Sequence, residues 1–253
     1  MNPKSFLKIL LKFFNFELFR YRKNFEELLK ILIKNQKPII LDVGANKGQS
    51  IDRFKKIFTN LEIHSFEPLS ELNSYLLEKY KNKDIYKDLY INELALSDKI
   101  QRKEIFYNNL GNFGAMSGFY KLKNDSKFKK NYKKINKEKS IDQKNNIEST
   151  MVSTITLDEY VEKNNIRTID LLKIDTQGHE KEVLIGSQKS LEKKIIKTIE
   201  LELILNDSYE ENFYFYKFDQ ILSECGYKVF AINNHGNLID NPGLNIDLLY
   251  TST

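Results

Sequence analysis

"ILDVGANKGQS", residues 40–50, joins a short apolar run to a loop holding two glycines, Gly44 and Gly48. The run that enters it, "PIILDVG", is apolar apart from Asp42, which predicts a strand buried on both faces of a parallel sheet and ending in a glycine turn. "SIDRFKKIF" follows with helical spacing. In an open parallel sheet the first strand-to-helix turn lies at the carboxyl ends of the strands, where backbone N–H groups meet ligands. Gly44 and Gly48 let the backbone approach a ligand, and Asp42 sets a carboxylate at the base of the turn. "GANKG" lacks the middle glycine of G-x-G-x-x-G that makes room for a pyrophosphate. The alternative is a glycine turn that only lets the helix pack.

Working outward, "LEIHSFEP" predicts a second strand ended by Pro68, and "SELNSYLLEKYKN" a helix with Ser70 as its N-cap. Residues 85–98 predict a third strand, and "KEIFYNN" a short added one. After a Lys/Asn-rich stretch, "TLDEYVEKNNI" is helical, "IDLLKID" a buried strand, "GHEKEVLIGSQKSLEKK" a helix and "TIELELIL" a strand. "FYKFDQILSECG" is helical, and "YKVFAIN" and "NIDLLYTS" are strands. Alternation of strand and helix from 39 to 205 predicts an α/β fold, a mostly parallel sheet covered on both faces. The link "NHGNLIDNPGL" is too short for a helical crossover, so the last two strands pair antiparallel.

With 253 residues, 41% hydrophobic and 12% aromatic, the chain can bury one substantial core. The lone Cys225 excludes an internal disulfide and a cysteine-built zinc site, and reads as a buried thiol in a reducing compartment. Residues 1–25 and 121–146 contribute +5 and +7, which against a net charge of +5 leaves −7 for the rest. The positive charge therefore sits in two appendages on an acidic body, which argues against a nucleic-acid-binding protein. Residues 1–37 form a basic amphipathic helical extension ahead of a domain at 38–253. Lysines interrupt its apolar residues every four positions, and no run reaches the roughly 18 apolar residues of a membrane span. The expected location is the cytoplasm. The extension is either an interfacial membrane anchor or a cover for the sheet edge or a partner subunit, as in a homo-oligomer. The Lys-rich insertion at 121–149 either folds over an anionic acceptor such as a phosphorylated or nucleotide-linked sugar or is a solvated loop.

Glu67 ends the second strand about twenty positions after the glycine turn, where an acid accepts the hydroxyls of a ribose. One carboxylate at the base of the loop and another for a ribose suit S-adenosylmethionine, which carries an ammonium group and a sulfonium. "DVGANKGQS", "SFEP", "NELALSD", "TLDEYVEKNNI", "IDLLKIDTQGHEKEVLIGS" and "IELEL", in this order, resemble the FkbM-type S-adenosylmethionine-dependent methyltransferases over roughly residues 38 to 205. The resemblance implies a Rossmann-like class I methyltransferase with a seven-stranded, mostly parallel sheet and an antiparallel last hairpin. It also implies methyl transfer to oxygen, typically a sugar hydroxyl in a surface glycan or its precursor. Carried over by position, it puts Asp42, Gly44, Asn46 and Gly48 around the methionine part of the cofactor and Glu67 on the ribose. Ser97 and Asp98 fall near adenine, and Asp175 beside the sulfonium and the acceptor. Where this pattern often has Glu, the chain has Gln177.

Methyl transfer needs in-line alignment, and a nearby base can take the hydroxyl proton during or after attack. Asp175, His179 and Glu202 are the candidates. His179 has the most suitable unperturbed pKa, about 6.5, yet a lone histidine at a helix start is also an ordinary surface residue. Glu180 in the same turn is equally a dipole partner. Glu200 and Glu202 share one face of an inner strand, and the resemblance selects Glu202. His64, His179 and His235 lack metal-ligand spacing, so no metal is expected. Tyr209 is either core or the lining of an acceptor pocket. Against a competing NAD-dependent sugar-modifying oxidoreductase stand the missing middle glycine and the absence of a Tyr-x-x-x-Lys pair placed after the fourth strand. An RNA methyltransferase lacks an "NPPY"-like signature; a non-sugar small molecule stays open as the acceptor.

Overall fold

A computed structural model of the chain describes residues 25–82, 87–109, 116–123, 149–204, 209–210, 214–234 and 245–252. The first 24 residues, positions 124–148 and His235 lie outside the described residues. The expectations for an anchoring extension and for a lysine-rich cover therefore fall largely there. The chain divides into two units, Met1–Leu32 and Ile33–Thr253. In the first, α1 (Phe25–Leu32) buries Phe25, Leu28 and Leu29, the i, i+3, i+4 stripe of an amphipathic helix. Residues 35–37 belong with the second unit: Asn35 donates to Asp170 at 3.1 Å, and Lys37 pairs with Asp88 at 3.1 Å. No described helix is long and apolar enough to cross a membrane.

The second unit opens with β1 (Ile39–Val43), α2 (Gln49–Ile57), β2 (Glu62–Phe66), α3 (Ser70–Tyr80) and β3 (Leu89–Asn92). β4 (Ala95–Leu96), β5 (Gln101–Tyr107) and β6 (Ser149–Ile155) come next. Then follow α4 (Leu157–Lys163), β7 (Ile169–Ile174), α5 (Glu180–Ile185), α6 (Gln188–Glu192), β8 (Ile196–Ile204), α7 (Phe215–Glu224), β9 (Tyr227–Asn234) and β10 (Asn245–Ser252). Seven strands form one sheet in the order β3-β2-β1-β7-β8-β10-β9. β1 pairs in parallel with β2 and β7, and β7 with β8, while β10 runs antiparallel to both β8 and β9. This is the class I methyltransferase sheet, with its reversed strand inserted next to the end. Strand order reverses between β1 and β7, the switch point where open α/β sheets bind ligands. All six residues of β7 are buried, because helices cover both faces of this central strand. Leu41, Val43, Leu172, Ile174, Ile199 and Leu201 form the middle of the core.

Three local expectations change. The predicted strand at 85–98 divides: β3 stays in the main sheet, while β4 leaves to pair with β6 in a second sheet, β4-β6-β5. β6 was not expected, although its run "STMVSTI" is rich in the β-branched residues that fit a pleated surface. The single helix over 178–194 breaks at Gly186. There Asp158 accepts from the backbone N–H of Lys189 at 2.9 Å and of Ser190 at 2.8 Å, starting a new helix. A Cβ on Gly186 would lie 2.0 Å from the Ser97 carbonyl oxygen, so the break also admits the β4 end. Ser70 is the first helical residue of α3 and not its N-cap; its hydroxyl bonds Glu93.

Candidate active site

The site grows from register. Asp42 of β1 lies beside Lys173 of β7, which lies beside Glu200 of β8. Side chains at paired positions share a face. Lys173 Nζ is 3.4 Å from Asp42 Oδ1 and 3.2 Å from Asp175 Oδ2. Arg53 of α2 closes the row with a 2.6 Å contact to Glu200 Oε1. Burial alone would lower the Lys173 ammonium, but Asp175, Asp42 and Glu200 outweigh it and raise its pKa. Asp42 is fully buried, and neither of its oxygens accepts a hydrogen bond among the described residues. Lys173, the centre of this row, was not singled out in the sequence; the same-face spacing of Lys173 and Asp175 was a usable signal.

Positive φ values at Gly44 (86°), Asn46 (47°) and Gly48 (82°) shape the loop after β1. A Cβ at Gly44 would lie 2.0 Å from the Asp175 carbonyl oxygen, and one at Gly48 2.4 Å from the Tyr80 hydroxyl. Gly44 thus admits the end of β7, and Gly48 admits the helix α3. Glu67, 4% exposed, accepts from the backbone N–H of Asn46 at 2.9 Å and of Leu69 at 3.1 Å. Burial pushes its carboxyl up to about 7 against these bonds.

At the ends of β7 and β8, Gln177 joins Asp175 to Glu202. Its amide nitrogen donates to Asp175 Oδ1 at 3.0 Å and to Glu202 Oε2 at 2.9 Å. Asn245 of β10 donates to Glu202 Oε1 at 3.1 Å. Burial would raise Asp175, but Lys173 and hydrogen bonds from Glu202 and Gln177 hold it below its ordinary value. Glu202 moves the other way, through burial and then the charge of Asp175. At neutral pH one carboxyl is charged and the other protonated. Asp175, Glu202 and Lys173 line a cleft of about 240 Å³ together with Gln49, Ser50, Arg53, Glu200 and Asp247.

The other expected residues divide between core and neighbouring positions. His179 is 4% exposed, which overturns the surface alternative. Its Nε2 is 2.9 Å from the Ser97 hydroxyl, and Phe119 packs on its ring at 4.1 Å. Burial holds it neutral, with its pKa pulled down to about 4. Its polar neighbours are thus Ser97 and, at 3.7 Å, Glu182. Ser97 is fully buried, and Asp98, exposed, accepts from it at 3.2 Å. Glu180 is buried beneath the turn after Asp175, where it accepts from the N–H groups of Thr176 and Gly178 at 2.9 and 3.1 Å. Tyr209 is fully buried and donates to Gln177 Oε1 at 3.0 Å, which makes it core and not pocket lining. Arg53, Asn245 and Asp247 were not expected in the site, because their partners are distant in the chain; Gln177 lies two residues from Asp175 but reaches Glu202 only across strands.

The chain matches the Methyltransferase FkbM domain over residues 42–229. It is 26% identical over 162 residues to the 2-O-methyltransferase NoeI of Sinorhizobium fredii (strain NBRC 101917 / NGR234), covering 64% of this chain and 62% of NoeI. The match therefore spans less than two thirds of that relative. Among solved structures, it is similar to precorrin-6y C5,15-methyltransferase from Geobacter metallireducens GS-15, with a TM-score of 0.47, 10% identity and coverage of 94% of this chain and 92% of that one. A SAM dependent methyltransferase from Aquifex aeolicus gives 0.46 and 13%, covering 90% and 89%. Neither likeness bears on chemistry. The family match begins at Asp42 and reaches into β9, taking in the ends of β1, β2, β7 and β8: the chain belongs to the FkbM methyltransferases, a family dependent on S-adenosylmethionine.

Proposed function

We propose that the chain transfers the methyl group of S-adenosylmethionine to a hydroxyl of a sugar, in a surface glycan or a nucleotide-sugar precursor made in the cytoplasm. The observation that carries the reading is Asp42, fully buried with two oxygens that accept no hydrogen bond among the described residues, beside a lysine shared with Asp175. A buried carboxylate in that state is completed by a donor from a ligand, and the ammonium of the cofactor is one. Glu67 keeps a second lone pair on each oxygen after accepting from Asn46 and Leu69, which leaves room for ribose hydroxyls. The Gly44, Asn46 and Gly48 loop would follow the methionine part, and Ser97 and Asp98 the adenine.

When bound, S-adenosylmethionine supplies a methyl carbon already activated by its sulfonium. Asp175, charged and held by Lys173 and Gln177, would take the hydroxyl proton of the acceptor as the oxygen–methyl bond replaces the sulfur–methyl bond, leaving S-adenosylhomocysteine as the neutral thioether. Glu202 keeps its own proton and so supports this base without competing with it. The acceptor sits in the cleft between α2 and the ends of β7, β8 and β10. Arg53 and Lys173, its two lining cations, are both engaged by carboxylates. Such a lining favours an uncharged polyhydroxyl group there, with any phosphate outside it. That NoeI is named a 2-O-methyltransferase supports oxygen as the target. Peripheral membrane contact through residues 1–37 and self-association belong to the same proposal.

Isothermal titration tests the donor part: S-adenosylhomocysteine binds and NAD does not, and the reverse result overturns it. Mass spectrometry of surface polysaccharide from a deletion strain tests the acceptor. A methyl group lost from a sugar oxygen supports the proposal; intact glycans with methylation lost from RNA or another metabolite overturn it.

A further inference from the structure

We propose that Gln177 is a positioning residue: its amide ties Asp175 and Glu202 into one unit that holds a single proton on Glu202 and leaves Asp175 as the anion beside the acceptor. The proposal rests on Asp175 as the proton acceptor in methyl transfer. Each of the four carboxyl oxygens accepts from a side chain, three side chains serving the four. Gln177 serves Asp175 Oδ1 and Glu202 Oε2, Lys173 serves Asp175 Oδ2, and Asn245 serves Glu202 Oε1. The only cation among these donors is on Asp175, so Asp175 is the member that ionises.

The orientation of the amide is set from behind. Tyr209, fully buried, has its phenol held protonated by burial and donates to Gln177 Oε1 at 3.0 Å. The nitrogen of the amide must then face the acids. Its backbone is equally constrained: Gln177 has φ 56° and Gly178 φ 107°, and Glu180 holds the N–H groups on either side of Gln177. An amide suits this place because it gives two hydrogen bonds and does not titrate. A carboxyl of the same shape would need an added proton to give even one. The charged and titratable groups around the pair are Lys173, Glu200, Asp247, Glu180, Arg53 and Tyr209. Of the two cations, Arg53 is bound to Glu200.

The test is a carbon-13 carboxyl NMR titration of the full chain, with signals assigned through Asp175→Asn and Glu202→Gln. In the wild type, Asp175 stays charged over about pH 4 to 8 while Glu202 keeps its proton through neutrality. Gln177→Met removes both donors at similar length and raises the Asp175 midpoint by about one pH unit. Gln177→Glu makes the cluster take up a second proton near neutral pH. S-adenosylhomocysteine affinity stays within about threefold in both variants. A Glu202 that titrates like an ordinary carboxyl, or a folded Gln177→Met protein with both midpoints unmoved, overturns the proposal. Should Gln177→Met not fold, Tyr209→Phe removes only the hydroxyl that orients the amide. It shifts Asp175 the same way by less, and no shift again overturns the proposal. If the wild type does not bind S-adenosylhomocysteine, the methyl-transfer reading fails, while the titration still decides the role of Gln177.

Discussion

The ends of β1 and β2 and the ends of β7 and β8 both hold buried carboxylates, yet the two halves of the site are built differently. In the first half, Glu67 is held by backbone N–H groups of the neighbouring loop, and Asp42 accepts no hydrogen bond among the described residues, with the Lys173 ammonium beside it at 3.4 Å. In the second, side chains supply the hydrogen bonds: Lys173 of β7 and Gln177 of the following turn to Asp175, and Gln177 and Asn245 of β10 to Glu202. Backbone donors stay in place whatever is bound, which suits a half that receives one constant cofactor. Side-chain donors such as Gln177 and Asn245 can be replaced one at a time, which suits a half that must fit an acceptor. Lys173 bridges the two, touching Asp42 on one side and Asp175 on the other.

If the halves divide the work in this way, Asp175→Asn abolishes turnover without emptying the donor side. Methyl transfer is expected to fall by about two to four orders of magnitude. The affinity for S-adenosylhomocysteine should change by less than about threefold. Parallel loss of both, measured by turnover and calorimetry, would mean the halves are a single unit. Lys173→Met strikes the bridge itself. It leaves buried carboxylates uncompensated and should cost about 3–5 kcal/mol in urea unfolding, together with weaker cofactor binding.

How far these halves can be read from the chain differs in the same way. Asp42, Gly44, Gly48 and Glu67 lie in two contiguous stretches around strand ends, so a local pattern exposes them. Glu202 and Glu200 are visible as a same-face pair, but Arg53, which holds Glu200, is 147 residues away. Asn245 reaches Glu202 only because β10 inserts beside β8. Strand order, not local sequence, makes those contacts. The main sheet is legible because its strands alternate with helices, whereas β4, β5 and β6 interrupt that alternation and depend on a pairing across residues 108–148.

Glu67 links the donor half to pH. Its carboxyl is raised to about 7 in the folded chain, above the ordinary 4.5. Its contribution to stability is therefore fully present below about pH 4.5 and is lost as pH rises through about 7. If Glu67 holds the ribose as proposed, cofactor binding has the opposite sign, because the ionised form is the better acceptor for its hydroxyls. Affinity for S-adenosylhomocysteine should rise between about pH 5.5 and 8 and then level off. Glu67→Gln should weaken binding by about ten- to a hundredfold and flatten that dependence. A variant that keeps the wild-type slope would take Glu67 out of the ribose site.

The smallest effect concerns His179, which the chain places next to the Asp175 turn but the fold turns toward Ser97. A base near neutrality would show its pKa as the acid limb of the turnover profile. Burial instead pulls His179 down to about 4, so it is neutral over the working range. Its folded pKa lies below the ordinary 6.5, so its contribution to stability is present above about pH 6.5 and is lost as pH falls toward 4. Removing it should act through Ser97 on the adenine end of the donor half. His179→Gln is expected to weaken S-adenosylhomocysteine by less than about fivefold and to leave the acid limb in place. It should also remove the part of the stability loss that develops between about pH 6.5 and 4. If instead the acid limb disappears while cofactor affinity holds, His179 serves the acceptor, and the boundary between the halves lies on the other side of α5.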